Sequence, residues 1–148
     1  MANKSNVQCY TIRLLPGQDL KEEIESFVEK KNLEAAFIMT CVGSINGGTL
    51  RFPIPKTGPV PAANREVTYR KEYFDILSLV GTVSQGGAHL HVVLGRADGT
   101  VVGGHLVGNA KIHTTAEVVI GESLAEVYIR KNDPNTTFNE LEIKPRSR

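Results

Sequence analysis

The chain has 148 residues, 41% apolar and 22% charged, with 14 glycines and no tryptophan. That length fits one domain and can bury a core without disulfide or metal staples. A formal net charge of +1 lacks the basic excess of a nucleic-acid or anionic-membrane binder, and no apolar run reaches the length of a membrane span.

Cys9 and Cys41 are the only cysteines and form no C-x-x-C pattern, so reduced thiols in the cytoplasm are expected. The opening segment MANKSNVQCYTIRLL has no apolar signal-peptide core, which agrees with that location.

Gln8 to Leu15 is β-branched and partly alternating, which predicts a strand ended by Pro16–Asp19. Asp19 followed by Glu22 has the spacing of a capping box. Leu20, Ile24, Phe27, Val28 and Leu33 then fall at helical spacing among Lys and Glu, so an amphipathic helix follows. Ala35 to Val42 is a short apolar run suited to a buried strand, and Gly43 to Gly48 (GSINGG) is expected to turn before TLRF resumes an extended run. The prolines at 53, 55, 59 and 61 exclude regular helix and interior strand, leaving a long surface loop. Thr68 to Gln85 is read as two strands. Further strands are placed at Ala116–Ile120, Leu124–Lys131 and Phe138–Ile143, with a turn at Asn132–Thr137. The basic end, residues 144–148, is expected to be a flexible, solvated tail. These elements sum to a single α+β domain over residues 1–148, mainly antiparallel or mixed β-sheet with one main helix.

Three of the four histidines lie between Gly86 and Leu106, and His113 follows shortly after. Arg96–Gly99 (RADG) sits between two extended runs and favours a hairpin turn. A two-residue turn at Asp98-Gly99 would set His91 opposite Leu106 and turn His105 to the other face. A three-residue loop, Ala97–Gly99, would set His91 opposite His105 with His89 on the same face. The second register leaves Leu90, Val92, Leu94, Val102 and Leu106 together on the other face. Because a one-residue slip would mix apolar and polar faces, burial favours this register, although Gly103-Gly104 offers a place for a bulge.

Opposed strand residues have Cβ atoms about 4.5–5.5 Å apart, so three such imidazoles can reach one ion at about 2.0–2.1 Å. Three histidines with an open fourth position suit catalytic zinc. The plain alternative is that each strand histidine is an ordinary hydrogen-bonded residue. His113 is less specific. The pairs Gly86-Gly87 and Gly103-Gly104 either admit a ligand close to the backbone or serve strand bends. No nucleophile motif is present. Ser44 lies near the expected turn without a base. Glu117, Glu122 and Glu126 read first as solvated strand residues, and Asp75 stands out for its apolar neighbours.

GGTLRFP (Gly47–Pro53), YFDILSLVGTVS (Tyr73–Ser84), HLHVVLGRADGTVVGGHL (His89–Leu106) and TTAEVVIGE (Thr114–Glu122) together resemble the plants-and-prokaryotes-conserved (PPC) domain family, and DPNTTFNEL (Asp133–Leu141) extends the resemblance. The resemblance implies an α+β domain assembled as a homotrimer. It also implies a metal, usually zinc, on the H-x-H…H pattern, here His89, His91 and His105. The architecture is similar to that of acetolactate decarboxylase, a fold-level comparison that assigns no reaction. Land-plant members carry a basic AT-hook before the domain, and no such element occurs here, which argues against direct DNA contact. Two functions follow as expectations. One is a metal-dependent small-molecule enzyme or ligand binder, with a small anionic ligand at the metal. The other is a regulatory protein-interaction or DNA-associated module without catalysis. No catalytic residue is assigned.

Overall fold

The computed structural model describes residues 4–53 and 65–147. The expected proline-rich loop therefore lies outside the described residues, apart from Pro53. The described elements run β1 (Val7–Leu14), α1 (Leu20–Lys30), β2 (Ala36–Phe52), β3 (Arg65–Ser84), β4 (Gly87–Gly95), β5 (Val101–Gly108), β6 (Lys111–Ser123), β7 (Glu126–Asn132) and β8 (Asn139–Pro145).

The helix forms where its caps and spacing dictate. The Asp19 carboxylate accepts from the backbone N–H groups of Lys21 at 3.1 Å and Glu22 at 3.2 Å, satisfying two donors that have no partner within the helix. Leu20, Ile24 and Val28 face inward and are buried. The end is a Schellman turn: the Leu33 N–H donates to the Val28 carbonyl at 3.0 Å and the Asn32 N–H to the Glu29 carbonyl at 2.9 Å. Asn32 takes the left-handed conformation that this turn requires, with φ +52°.

Six strands form one sheet in the order β1-β6-β2-β3-β4-β5, and β5 returns to pair with β2. Strands β2, β3, β4 and β5 thereby close into a ring, while β6 and β1 extend from the first part of β2. All pairings are antiparallel. The ring encloses Leu50, Phe74, Leu90, Leu94 and Leu106, part of one buried apolar cluster that α1 joins through Leu20, Ile24 and Val28. The α1 residue Glu25 accepts from the Ala88 N–H at 3.1 Å and tethers the helix to the start of β4.

Two sequence expectations are corrected here. Gly43–Gly48 is not a turn but the middle of β2, which is one strand of 17 residues. Residues 36–46 of β2 pair with β6, and Thr49–Arg51 pair with β5, so the strand serves two neighbours in succession. The glycine run lies where it changes neighbours and where its register with β3 shifts between Asn46 and Gly48. The span from Thr68 is likewise one strand, β3, with a further irregularity between Ile76 and Ser78. Bulges bend such strands without ending them.

The C-terminal pair β7–β8 forms a separate two-stranded sheet. Lys144 and Pro145, assigned from the sequence to a tail, pair within it. The Arg146 guanidinium donates to Glu122 at 2.6 Å, and its backbone N–H donates to the Ala125 carbonyl at 2.9 Å.

Candidate metal centre

The β4–β5 hairpin adopts the three-residue loop. Arg96 and Thr100 bond across it, with the Arg96 N–H donating to the Thr100 carbonyl at 2.8 Å. Gly99 takes φ +83°, a conformation that penalises any residue with a Cβ. The register follows: His91 faces His105, Val92 faces Gly104, and Gly95 faces Val101, with no slip at Gly103-Gly104. Leu90, Val92, Leu94 and Leu106 are buried on the inner face, and the three histidines share the outer one.

The imidazoles converge. One ring nitrogen from each of His89, His91 and His105 lies within 4.8 Å of the other two. The Nε2 atoms of His89 and His91 are 3.2 Å apart. Two nitrogens on one tetrahedral zinc at about 2.0–2.1 Å stand about 3.3 Å from each other, so this spacing fits shared coordination. Burial, helped by the neighbouring charges of Arg51 and the other two histidines, lowers the His105 pKa to about 4. Burial also lowers that of His89, followed by the charges of His91 and Arg130. Both rings are thereby held neutral near pH 7, the state in which a nitrogen lone pair is free to ligate.

A close backbone approach sets this face. Gly81 of β3 pairs with Leu90, and a Cβ there would fall 1.9 Å from the His89 carbonyl oxygen. Gly81 also has φ +141°, so no other residue fits without moving β4.

The register also brings two arginines to the histidines. Arg51 of β2 is directly opposite His105 and shares its face. Thr82 of β3 is directly opposite His89, and its hydroxyl accepts from the Arg130 guanidinium of β7 at 2.5 Å. The row across four strands is therefore Thr82 with Arg130, then His89 and His91, then His105, then Arg51. Among the described residues neither arginine has a carboxylate within 4.0 Å, although Glu66 stands across from Arg51 on its other side. Arg96 and Arg146, also partly buried, are both paired with acids. A cavity of about 600 Å³ opens over the row, lined by the three histidines and two arginines, with Phe52, Phe138, Asn139 and Glu140 completing its walls. Gly86, Gly87 and Gly104 also line it, so both glycine pairs admit space next to the backbone.

The remaining candidates fall elsewhere. His113 on β6 stacks on Tyr73 with ring centroids 4.4 Å apart and takes no part in the cluster. Ser44 shares a hydrogen bond with Thr114 at 2.7 Å. Glu117 and Asp75 are exposed. Glu122 is buried, accepting from the Glu34 N–H and from Arg146. Glu126 accepts from the Ser123 hydroxyl. Arg51, Arg130 and Glu140 carry no local sequence signal. Only long-range pairing sets them beside the histidines.

A bifunctional protein GlmU from Synechococcus sp. (strain JA-3-3Ab) is 39% identical over 139 residues, which is 94% of this chain. The chain spans only 21% of that relative's length. The solved structure of a hypothetical protein from Salmonella superposes with a TM-score of 0.84 at 33% identity, covering 98% of this chain and 99% of that one. A metal-containing protein from Archaeoglobus fulgidus superposes with a TM-score of 0.81 at 28% identity, covering 96% and 99%. Residues 1–124 match the Plants and Prokaryotes Conserved (PCC) domain, the family that the sequence motifs resemble. The chain belongs to that family.

Proposed function

We propose that this PCC-domain protein holds one divalent ion, zinc, on His89, His91 and His105 and presents it to a small anionic ligand. The observation that carries this reading is the convergence of three imidazole nitrogens within 4.8 Å on one sheet face. The metal-containing relative from Archaeoglobus fulgidus supports it. Zinc on three neutral imidazoles supplies Lewis acidity through its open position. The chain's own residues do the rest. Arg51 and Arg130 attract negative charge to the cavity, and Phe52 and Phe138 give it apolar walls. Glu140, the one acidic residue among the described lining, provides a proton acceptor.

Assembly as a homotrimer belongs to the same reading. Leu77, Val80, Val93 and Val101 are 38–56% exposed. Val80 is paired with His91, and the Val93–Gly103 and Val101–Gly95 pairs continue the same face away from the histidines. Such a contiguous apolar strip suits a subunit contact. Light scattering reads the mass directly: a trimer in wild type and a smaller species in Val80→Glu with Val101→Glu are expected.

Elemental analysis of protein prepared without chelator tests the metal. One zinc per chain is expected, lost in His89→Ala and in His105→Ala. A wild-type protein that holds no zinc and takes up none on titration would end the reading.

A further inference from the structure

We infer that the ligand is a small dicarboxylate, with one anionic group on Arg51, the other on Arg130, and the metal facing the carbon chain between them. The inference rests on the metal reading above and names the ligand class for that site.

The placement of the two guanidiniums carries it. Arg51 adjoins His105 at one flank of the imidazole cluster, and Arg130 is pinned to Thr82, opposite His89, at the other. Arg51 lies on β2 and Arg130 on β7, where its bond to Thr82 fixes it beside β3. The two strands that carry the histidines, β4 and β5, run between β3 and β2 on this side of the ring. A phosphate concentrates its charge at one point and is best met by donors gathered around that point. Cations set on opposite flanks instead match charges at the two ends of a short molecule. Among the described residues neither arginine has a carboxylate within 4.0 Å, whereas Arg96 and Arg146 do; Glu66 stands across from Arg51 and Glu140 shares the cavity with Arg130. A planar guanidinium fork suits a carboxylate in two parallel hydrogen bonds. Phe52 and Phe138 offer an apolar surface for the intervening methylenes, and about 600 Å³ holds a ligand of that size.

The test titrates zinc-loaded protein calorimetrically with succinate, glutarate, acetate and inorganic phosphate, with zinc measured on each sample. Succinate or glutarate should bind at least about tenfold tighter than acetate and tighter than phosphate. Arg51→Ala and Arg130→Ala should each weaken dicarboxylate binding about 10- to 100-fold, towards the acetate value, with zinc content unchanged. Arg130→Lys keeps the charge but not the fork, so a partial loss is expected there even if the alanine variant loosens β7. Zinc present with dicarboxylate no tighter than acetate overturns the inference alone, as does phosphate binding tightest. Unchanged dicarboxylate affinity in both alanine variants also overturns it. Zinc absent from wild type removes the metal reading and this inference with it.

Discussion

The six-stranded sheet and the β7–β8 pair contribute to the same cavity in opposite ways. The sheet supplies the imidazoles from strands whose inner faces are packed into the core. The β7–β8 pair supplies Arg130 and Glu140, yet none of its residues is fully buried. Polar ties hold it in place: the Tyr128 N–H on the Glu34 carbonyl at 2.8 Å, Arg130 on Thr82, and Arg146 on Glu122. The Arg146 Nε also stands 3.2 Å from Glu34, near enough for charge attraction, although its hydrogen does not aim at that oxygen. The family match ends at residue 124, just before this pair begins. The three histidines thus sit on the part packed into the core, and two further residues of the cavity wall sit on the part fastened by hydrogen bonds and charge.

The severest way to break this contrast is Gly81→Ala. The new methyl meets the His89 carbonyl at 1.9 Å, so β4 must shift. A loss of about 4 kcal/mol or more is expected in urea unfolding, together with loss of bound zinc. A folded, zinc-loaded variant would show that β4 can shift without loss of the site.

His105→Ala separates metal binding from folding. Removal of one of three ligands should lower zinc affinity by at least about 100-fold in a metal-buffered titration. Stability of the metal-free protein should change by less than about 1 kcal/mol, because the ring is only partly buried.

Arg146→Ala probes the other region. Glu122 stays buried and loses its cation, which should cost about 1–3 kcal/mol, less than a fully buried pair because Arg146 is partly exposed. Amide exchange should quicken at Tyr128 and Arg130 and stay slow in β4. Equal quickening in both would merge the two regions into one cooperative unit.

The smallest effect concerns the core of the sheet. Burial pushes the Cys41 thiol up to about 12, so at pH 8 it stays protonated and the reactive thiolate is scarce. Peptide mass spectrometry after brief alkylation should find Cys41 unmodified until denaturant opens the sheet.

The sequence shows the helix and the histidine register clearly because each rests on local physics. Asp19 marks the cap, and alternation between Leu90 and Leu94 allows only one register that keeps apolar residues inside. Gly43–Gly48 misleads because a glycine run that changes neighbours within a strand has the composition of a turn. Arg51 and Arg130 are illegible for another reason. Arg51 comes opposite His105, and Arg130 reaches Thr82 beside His89, through pairings set by the whole topology, and nothing within a short window encodes them.

The brevity of the β4–β5 connection has a kinetic consequence. A reversal of three residues can close on the microsecond scale, well before strands distant in the chain find each other. The imidazole trio can therefore assemble early, when little else is in place, whereas Arg130 must await its contact with Thr82 across 48 positions. The three imidazoles can thus come together on the hairpin before Arg130 reaches the cavity wall they share.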